Sequence, residues 1–187
     1  NDGGADGSID LADAAALTGN NGNITLSGDI GTDSVAGAAI VALGNASTGS
    51  ITLGGAEYNT SGTQTYTADD YNLNGTAITL TTSADIVTFN DGGADGSIDL
   101  ADAAALTIST SGANIVVNVP ILGTAEGTST DVTLNAAAGN VTVEDMGTDV
   151  NDVALTGGTI SINGTIETAD LSGCLLYTSP SPRDEST

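Results

Sequence analysis

The chain has no His, no Trp and no Lys, and only one Arg, one Cys, one Met and one Phe among its 187 residues. With the single Arg (Arg183) and single Cys (Cys174) both in the last stretch, residues 1–173 hold no cation and no thiol. Disulfide stapling and redox chemistry are therefore excluded for that part. It carries 22 of the 24 Asp and Glu residues, a net charge of −22 with nothing to neutralise it internally. Such a surface repels phosphate backbones and anionic lipid, so neither nucleic-acid binding nor membrane insertion is expected of this segment. Bound cations or plain high salt are the expected counter-charge. Phe89, Met146, Tyr58, Tyr66 and Tyr71 are the whole stock of large side chains before the tail. A wide globular core is thus excluded, and Ile, Val, Leu and Ala in a narrow interior fit better. Acidic chains poor in aromatics are often disordered. Here 39% of residues are apolar and fall in short alternating clusters, enough for a thin core shared between neighbouring units.

Cys174 to Asp184, CLLYTSPSPRD, differs in composition from everything before it and holds two of the three Pro. Back-translated, it resembles a common transposase-type sequencing adapter read in frame. Residues 174–187 are accordingly expected to be a non-native read-through tail without strand alternation, and residues 1–173 the folded segment. The chain begins at Asn1 without an initiator Met, and both ends are expected to be fragment ends, as in a metagenomic fragment.

What is present is repetition. NDGGADGSIDLADAAALT occupies Asn1 to Thr18 and returns unchanged at Asn90 to Thr107, 89 residues later. A looser repeat links Gly22–Asp33, GNITLSGDIGTD, to Gly139–Asp149, GNVTVEDMGTD, and Gly49-Ser-Ile-Thr-Leu-Gly-Gly to Gly158-Thr-Ile-Ser-Ile-Asn-Gly. Strand clusters keep their order while loop lengths drift, which a stacked solenoid tolerates because its turns project outward. Repetition also argues against a unique catalytic residue.

A period of two marks strands at Ser8–Leu11, Asn23–Ser27, Ala39–Leu43, Ser50–Gly54, Thr63–Thr67, Tyr71–Leu73, Ala77–Thr81 and Asp85–Phe89. It marks further ones at Ser97–Leu100, Ala105–Ser109, Asn114–Val119, Asp131–Asn135, Asn140–Glu144, Asp152–Thr156 and Thr159–Asn163. Turn residues every eight to twelve positions make the chain all-β. Leu11–Leu17 and Leu100–Leu106, LADAAAL, carry the only helical propensity, enough for one turn at most. The alternation points Ile24, Leu26, Ile51, Leu53, Ile78, Leu80 and Ile98 inward, with Leu100, Val132, Leu134, Val141, Val143, Ile160 and Ile162. At about twenty residues per coil, the segment would make roughly eight or nine coils and a rod near 40 Å long.

Gly49 to Gly92, GSITLGGAEYNTSGTQTYTADDYNLNGTAITLTTSADIVTFNDG, resembles the repeats of large bacterial exoproteins of the filamentous haemagglutinin type. The resemblance implies a right-handed parallel β-helix, export to the bacterial outer cell surface or medium, and a role in adhesion rather than catalysis. Partners implied are a surface glycan or protein of a host or neighbouring cell, together with further repeats of the same chain. Two other readings compete: tandem β-sandwich modules of the immunoglobulin or cadherin kind, since 89 residues also suits a sandwich, and a β-helical polysaccharide-degrading enzyme. The missing Trp, the missing Cys pair and the drifting loops tell against the sandwich. Missing cationic stabilisers and indole platforms tell against the enzyme.

One pattern is spaced for chemistry. Asp91-x-Gly93-x-Asp95-Gly96-x-Ile98-Asp99-x-x-Asp102 follows a calcium loop of the EF-hand or dockerin kind. Gly93 and its counterpart Gly4 stand where that loop wants Asp or Asn, so no metal ligand set is assigned and the stretch is read as a turn entering a strand. Calcium is the only cofactor the sequence raises. The pairs Asp69 and Asp70, and Glu144 and Asp145, are read as solvated loop charges. Tyr58, Tyr66 and Tyr71 are read as interior or coil-edge residues. The six N-x-S/T triplets, Asn74-Gly75-Thr76 among them, are read as turns.

Overall fold

The computed structural model describes residues 16–19, 21–31, 39–93, 95–124, 130–147, 149–168 and 174–178. Its strands wind into a parallel β-solenoid of about six turns with three sheets. Sheet 1 stacks β1 (Ala16–Gly19), β3 (Ala39–Gly44), β6 (Gln64–Ala68), β9 (Val87–Asp91), β12 (Ile115–Val117), β15 (Asn140–Val143) and β18 (Thr159–Ile162). Sheet 2 stacks β2 (Ile24–Leu26), β4 (Ser50–Leu53), β7 (Asp70–Leu73), β10 (Ile98–Leu100), β13 (Ile121–Leu122) and β16 (Met146–Gly147). Sheet 3 stacks β5 (Glu57–Thr60), β8 (Ala77–Thr82), β11 (Ala105–Thr110), β14 (Asp131–Asn135), β17 (Val153–Thr156) and β19 (Leu175–Thr178). The chain visits sheets 1, 2 and 3 in turn. Each strand therefore pairs with the one a coil below and the one a coil above, never with its neighbour in sequence. Every strand pairing is parallel, which excludes the tandem β-sandwich alternative, an antiparallel architecture.

Alternation sets what faces the bore. Ile51 and Leu53 of β4 are buried while Ser50 and Thr52 between them are half-buried, and β8, β11, β14 and β15 repeat the pattern. All fourteen residues expected inside face the interior; ten are buried, and Ile24, Leu26, Ile160 and Ile162 pack against the core at its two ends. Tyr58, Tyr66, Tyr71 and Phe89 are fully buried too. Tyr66 stacks on Phe89 one coil on, centroids 4.8 Å apart, and Tyr71 meets the same ring edge-on at 5.1 Å. Four rings thus fill adjacent coils of a bore that branched aliphatics fill elsewhere.

The coils are longer than expected. Register partners along sheet 1 run Ile40, Gln64, Val87, Ile115, Val141 and Ile160, so corner loops add several residues to some coils and none to others. Six intervals between seven strands give a rise of roughly 29 Å, shorter than the expected rod. Five strands lie outside the stretches that the spacing marks: β1, β5, β13, β16 and β19. The expected strand at Ser8–Leu11 lies outside the described residues. No helix occurs among the described residues. The LADAAAL stretch instead turns at Ala101–Ala104, where the Ala104 amide donates to the Ala101 carbonyl at 3.0 Å and Ala103 takes φ 56°. It then enters β11, because Ala105 and Leu106 find strand partners on both sides.

The tail was expected to carry no strand. Leu175–Thr178 nevertheless pairs with β17, matching Val153 to Leu175 and Leu155 to Tyr177. The Val153 amide donates to the Cys174 carbonyl at 2.9 Å, and the Gly157 amide to that of Thr178 at 3.1 Å. An open strand edge accepts any extended chain that supplies carbonyls and amides in step. Leu175, Leu176 and Tyr177 stay 40–55% exposed, so the pairing is mainly a backbone one.

The sequence repeats are out of phase with the coils. Ala16-Leu17-Thr18 lies in β1 of sheet 1, whereas the identical Ala105-Leu106-Thr107 lies in β11 of sheet 3. Ile24–Leu26 and Ile51–Leu53 lie on sheet 2, and their counterparts Val141–Val143 and Ile160–Ile162 on sheet 1. Each later copy is displaced by one sheet in the same sense. The three sheets are interchangeable as strand sites, since each asks only for two inward apolar residues in alternation.

A carboxylate inside this bore has no partner. Leu80→Asp is expected to cost about 4 kcal/mol or more, and Thr79→Asp next to it less than about 1 kcal/mol. Denaturant midpoints of the two variants check this, and equal costs on the two faces would contradict the alternation.

Candidate functional site

The acidic turn is described in its second copy, where it leaves sheet 1 at Asp91 and enters sheet 2 at Ile98. Asp91 Oδ1 accepts the Gly93 amide at 2.9 Å, closing an Asx turn. Asp95 follows with φ 71°, a left-handed conformation that Asp tolerates. Ile98 and Leu100 then point inward and Ser97 and Asp99 outward, the Ser97 hydroxyl donating to Asp99 Oδ1 at 2.9 Å. Asp102, beyond the strand, accepts from Thr124 Oγ1 at 2.9 Å.

A calcium loop needs its carboxylates to converge on one point. Here the strand at Ile98–Leu100 separates Asp102 from Asp91, and the carboxylates of Asp91, Asp99 and Asp102 hold three different partners. Among the described residues no group of three or more acidic side chains is placed to share an ion. Gly93 and Gly96 both pack against the coil beneath. A Cβ on Gly93 would lie 2.3 Å from Asp69 Oδ1, and one on Gly96 only 1.9 Å from the Asp69 carbonyl oxygen. The Asp69 side chain occupies the place where a third-position ligand would project, so the residues present do not fit a calcium loop.

Other carboxylates do structural work at the corners, where amides have no strand partner. Asp29 Oδ1 accepts the Ala56 and Glu57 amides at 2.5 and 3.0 Å; Asp145 Oδ1 accepts the Thr165 amide at 2.6 Å. Asp152 Oδ1 takes the Cys174 amide at 2.8 Å, and Asp131 Oδ1 the Asp152 amide at 3.3 Å. In every case the donor belongs to the following coil. Glu144, read as a solvated charge, accepts from Asn163 Nδ2 at 3.2 Å, again one coil on. Only Asp70 of the two pairs is both exposed and without a side-chain hydrogen bond among the described residues. These links could not be read from the sequence, since they depend on which corner lies above which.

Gln64 and a row of threonines are the polar residues the sequence reading missed. Gln64 is fully buried in β6; its Nε2 donates to the Tyr58 and Thr81 carbonyls at 2.7 and 3.0 Å, and its Oε1 accepts the Tyr66 hydroxyl at 3.0 Å. Thr60, Thr82 and Thr110 stack in register and each donates to a carbonyl in the turn that follows: Gly62, Asp85 and Ala113. The signal was present as Gln-x-Tyr at inward positions and a Thr closing three successive sheet 3 strands. No buried side-chain polar atom lacks a partner among the described residues. This network is therefore closed and offers no reactive group.

Burial raises the Tyr58 phenol from its ordinary value near 10 to about 12, against the lowering effect of the Gly55 amide it accepts from, and Asp29 nearby adds to the rise. Tyr66 and Tyr71 are raised further for the same first cause. Comparison with protein-family models, with curated proteins and with solved structures finds no match.

Two outcomes follow from this geometry. Calcium titrated into high sodium chloride is expected to leave the melting temperature unchanged beyond the generic salt effect. A saturable rise abolished by Asp91→Asn with Asp95→Asn would show a metal site instead. Second, a phenol raised in the folded state binds its proton more tightly than in the unfolded chain, so its stabilisation is complete below about pH 10 and lost as pH climbs toward 12. Melting temperature should fall over that window while the tyrosinate absorbance of Tyr58, Tyr66 and Tyr71, read in a Tyr177→Phe background, appears together with unfolding, not before it.

Proposed function

We propose that this chain is a rod-forming segment of a large secreted or cell-surface bacterial adhesin of the filamentous haemagglutinin type. Its work is to space and display other regions of the protein toward a glycan or protein on a host or neighbouring cell. The observation that carries the reading is the parallel ladder through about six turns, in which corner carboxylates accept amides from the following coil. Acidic side chains are spent on holding one coil to the next, and the segment is read as non-catalytic. Sheets that accept one another's strands favour a rod whose length can change without a new fold. The likeness of Gly49–Gly92 to exoprotein repeats supports the surface location. Antibodies raised against the segment should label intact cells of the source bacterium and extended surface material. Labelling only after permeabilisation would falsify the surface reading.

A further inference from the structure

Three Asn-Gly steps occur in the chain, at Asn21-Gly22, Asn74-Gly75 and Asn163-Gly164. All three Asn residues are exposed, yet the fold treats their side chains differently. Asn21 Oδ1 accepts from Asn45 Nδ2 of the next coil at 2.8 Å. Asn163 Nδ2 donates to Glu144 Oε1 at 3.2 Å, and a Cβ on Gly164 would lie 2.2 Å from Asp145 Oδ1, so a carboxylate stands against that glycine's backbone. Asn74 has neither restraint: its side chain and the Gly75 amide make no hydrogen bond among the described residues. The corner around it is nonetheless fixed. The Asn74 amide donates to the Leu53 carbonyl at 3.1 Å, and the Thr76 carbonyl accepts the Ala105 amide at 3.0 Å. Position 75 also asks for glycine, since a Cβ there would meet Ile78 Cγ1 at 2.9 Å and the Gly55 carbonyl oxygen at 3.3 Å. No side chain then screens the nitrogen that follows Asn74.

We propose that Asn74 is a self-modification site, at which the folded chain deamidates through a cyclic imide. Asn is among the thermolabile side chains, and here the attacking group is its own neighbour. Base removes the Gly75 N–H proton, and the bared nitrogen attacks Asn74 Cγ. A Cγ–N bond forms, the Cγ–Nδ2 bond breaks, and Nδ2 leaves as ammonia with a proton from water. Water then opens the five-membered ring. Opening at the Cγ–N bond leaves aspartate at position 74; opening at the main-chain carbonyl leaves isoaspartate, with the backbone running through Cβ and Cγ. One water enters, one ammonia leaves, and nothing is oxidised or reduced. At Asn21 the same step first requires breaking the bond to Asn45, and at Asn163 the bond to Glu144. The Asp145 carboxylate further opposes the amide anion on Gly164. The product adds a negative charge to the corner between β7 and β8, and as isoaspartate one backbone atom between two flanking bonds. The site does not depend on the adhesin reading, since a rod with any other role would carry the same corner.

The test ages the whole folded chain in heavy-oxygen water at mildly alkaline pH, then digests it with pepsin in acid, where ring closure stops. Mass spectra of the peptides are expected to show amide-to-acid conversion with heavy-oxygen uptake at Asn74 about fivefold or more ahead of Asn21 and Asn163. In urea the three sites should converge, because they share one dipeptide and have lost their partners. Asn74→Gln should abolish the fast uptake. Asn45→Ser keeps an oxygen for the Ser47 amide but removes the donor to Asn21, and should speed Asn21 about threefold toward the Asn74 rate. Should that variant melt early, Asn45→Asp gives the same reading. An unmodified Asn74 in the folded chain overturns the proposal, as does Asn21 or Asn163 keeping pace with it. An Asn21 rate left unchanged by loss of the Asn45 donor overturns it as well.

Discussion

Everything in this molecule depends on one constraint: the backbone of each coil is satisfied by the coil beneath it. A parallel ladder of this kind needs no wide core, only side chains that alternate in and out so that successive coils can approach to strand distance. Few large residues are then required. The four buried rings sit together in the coils built from β5 to β9, and the rest of the bore is closed by Ile, Val, Leu and Ala. Backbone groups at the corners lie outside the ladder, and the chain meets them with carboxylates and amides reaching between coils, such as Asp29 to Ala56 and Asn114 to the Asn140 amide.

The acidity looks different in that light. A run of uncompensated charge costs self-repulsion on compaction. Asp is also a side chain short enough to sit in a corner and accept two amides from the next coil at once, as Asp29 does. Asp131, Asp145 and Asp152 accept single amides in the same direction along the rod. Part of the charge therefore has a local structural reason.

Fold class was legible because alternation survives in most strands of four or more residues. Ile51 and Leu53, or Ile78 and Leu80, announce their side by spacing alone. Coil length was not legible, since a corner loop such as Gly92 to Ser97 carries no signal separating it from an extra turn. Two-residue strands were missed because β13 and β16 are strands only by virtue of their neighbours. The acidic turn was half legible. Its Gly93 showed that the calcium pattern was broken, but the Asp69 carboxylate beside it, rising from the coil below, is placed there only once the two coils are stacked.

The displacement of each repeat by one sheet bears on how such a chain can grow. If the solenoid accepted new material only in whole turns, a duplication in the gene would have to cut at matching points of the coil or ruin the stack. Interchangeable sheets remove that requirement: any in-frame copy that begins and ends at a corner can be absorbed, the downstream chain simply resuming on the next face. Lengthening is then nearly free of geometric selection. A feature carried by the copied stretch, such as the acidic turn between Asp91 and Ile98, would wind around the rod with each duplication instead of lining one side of it.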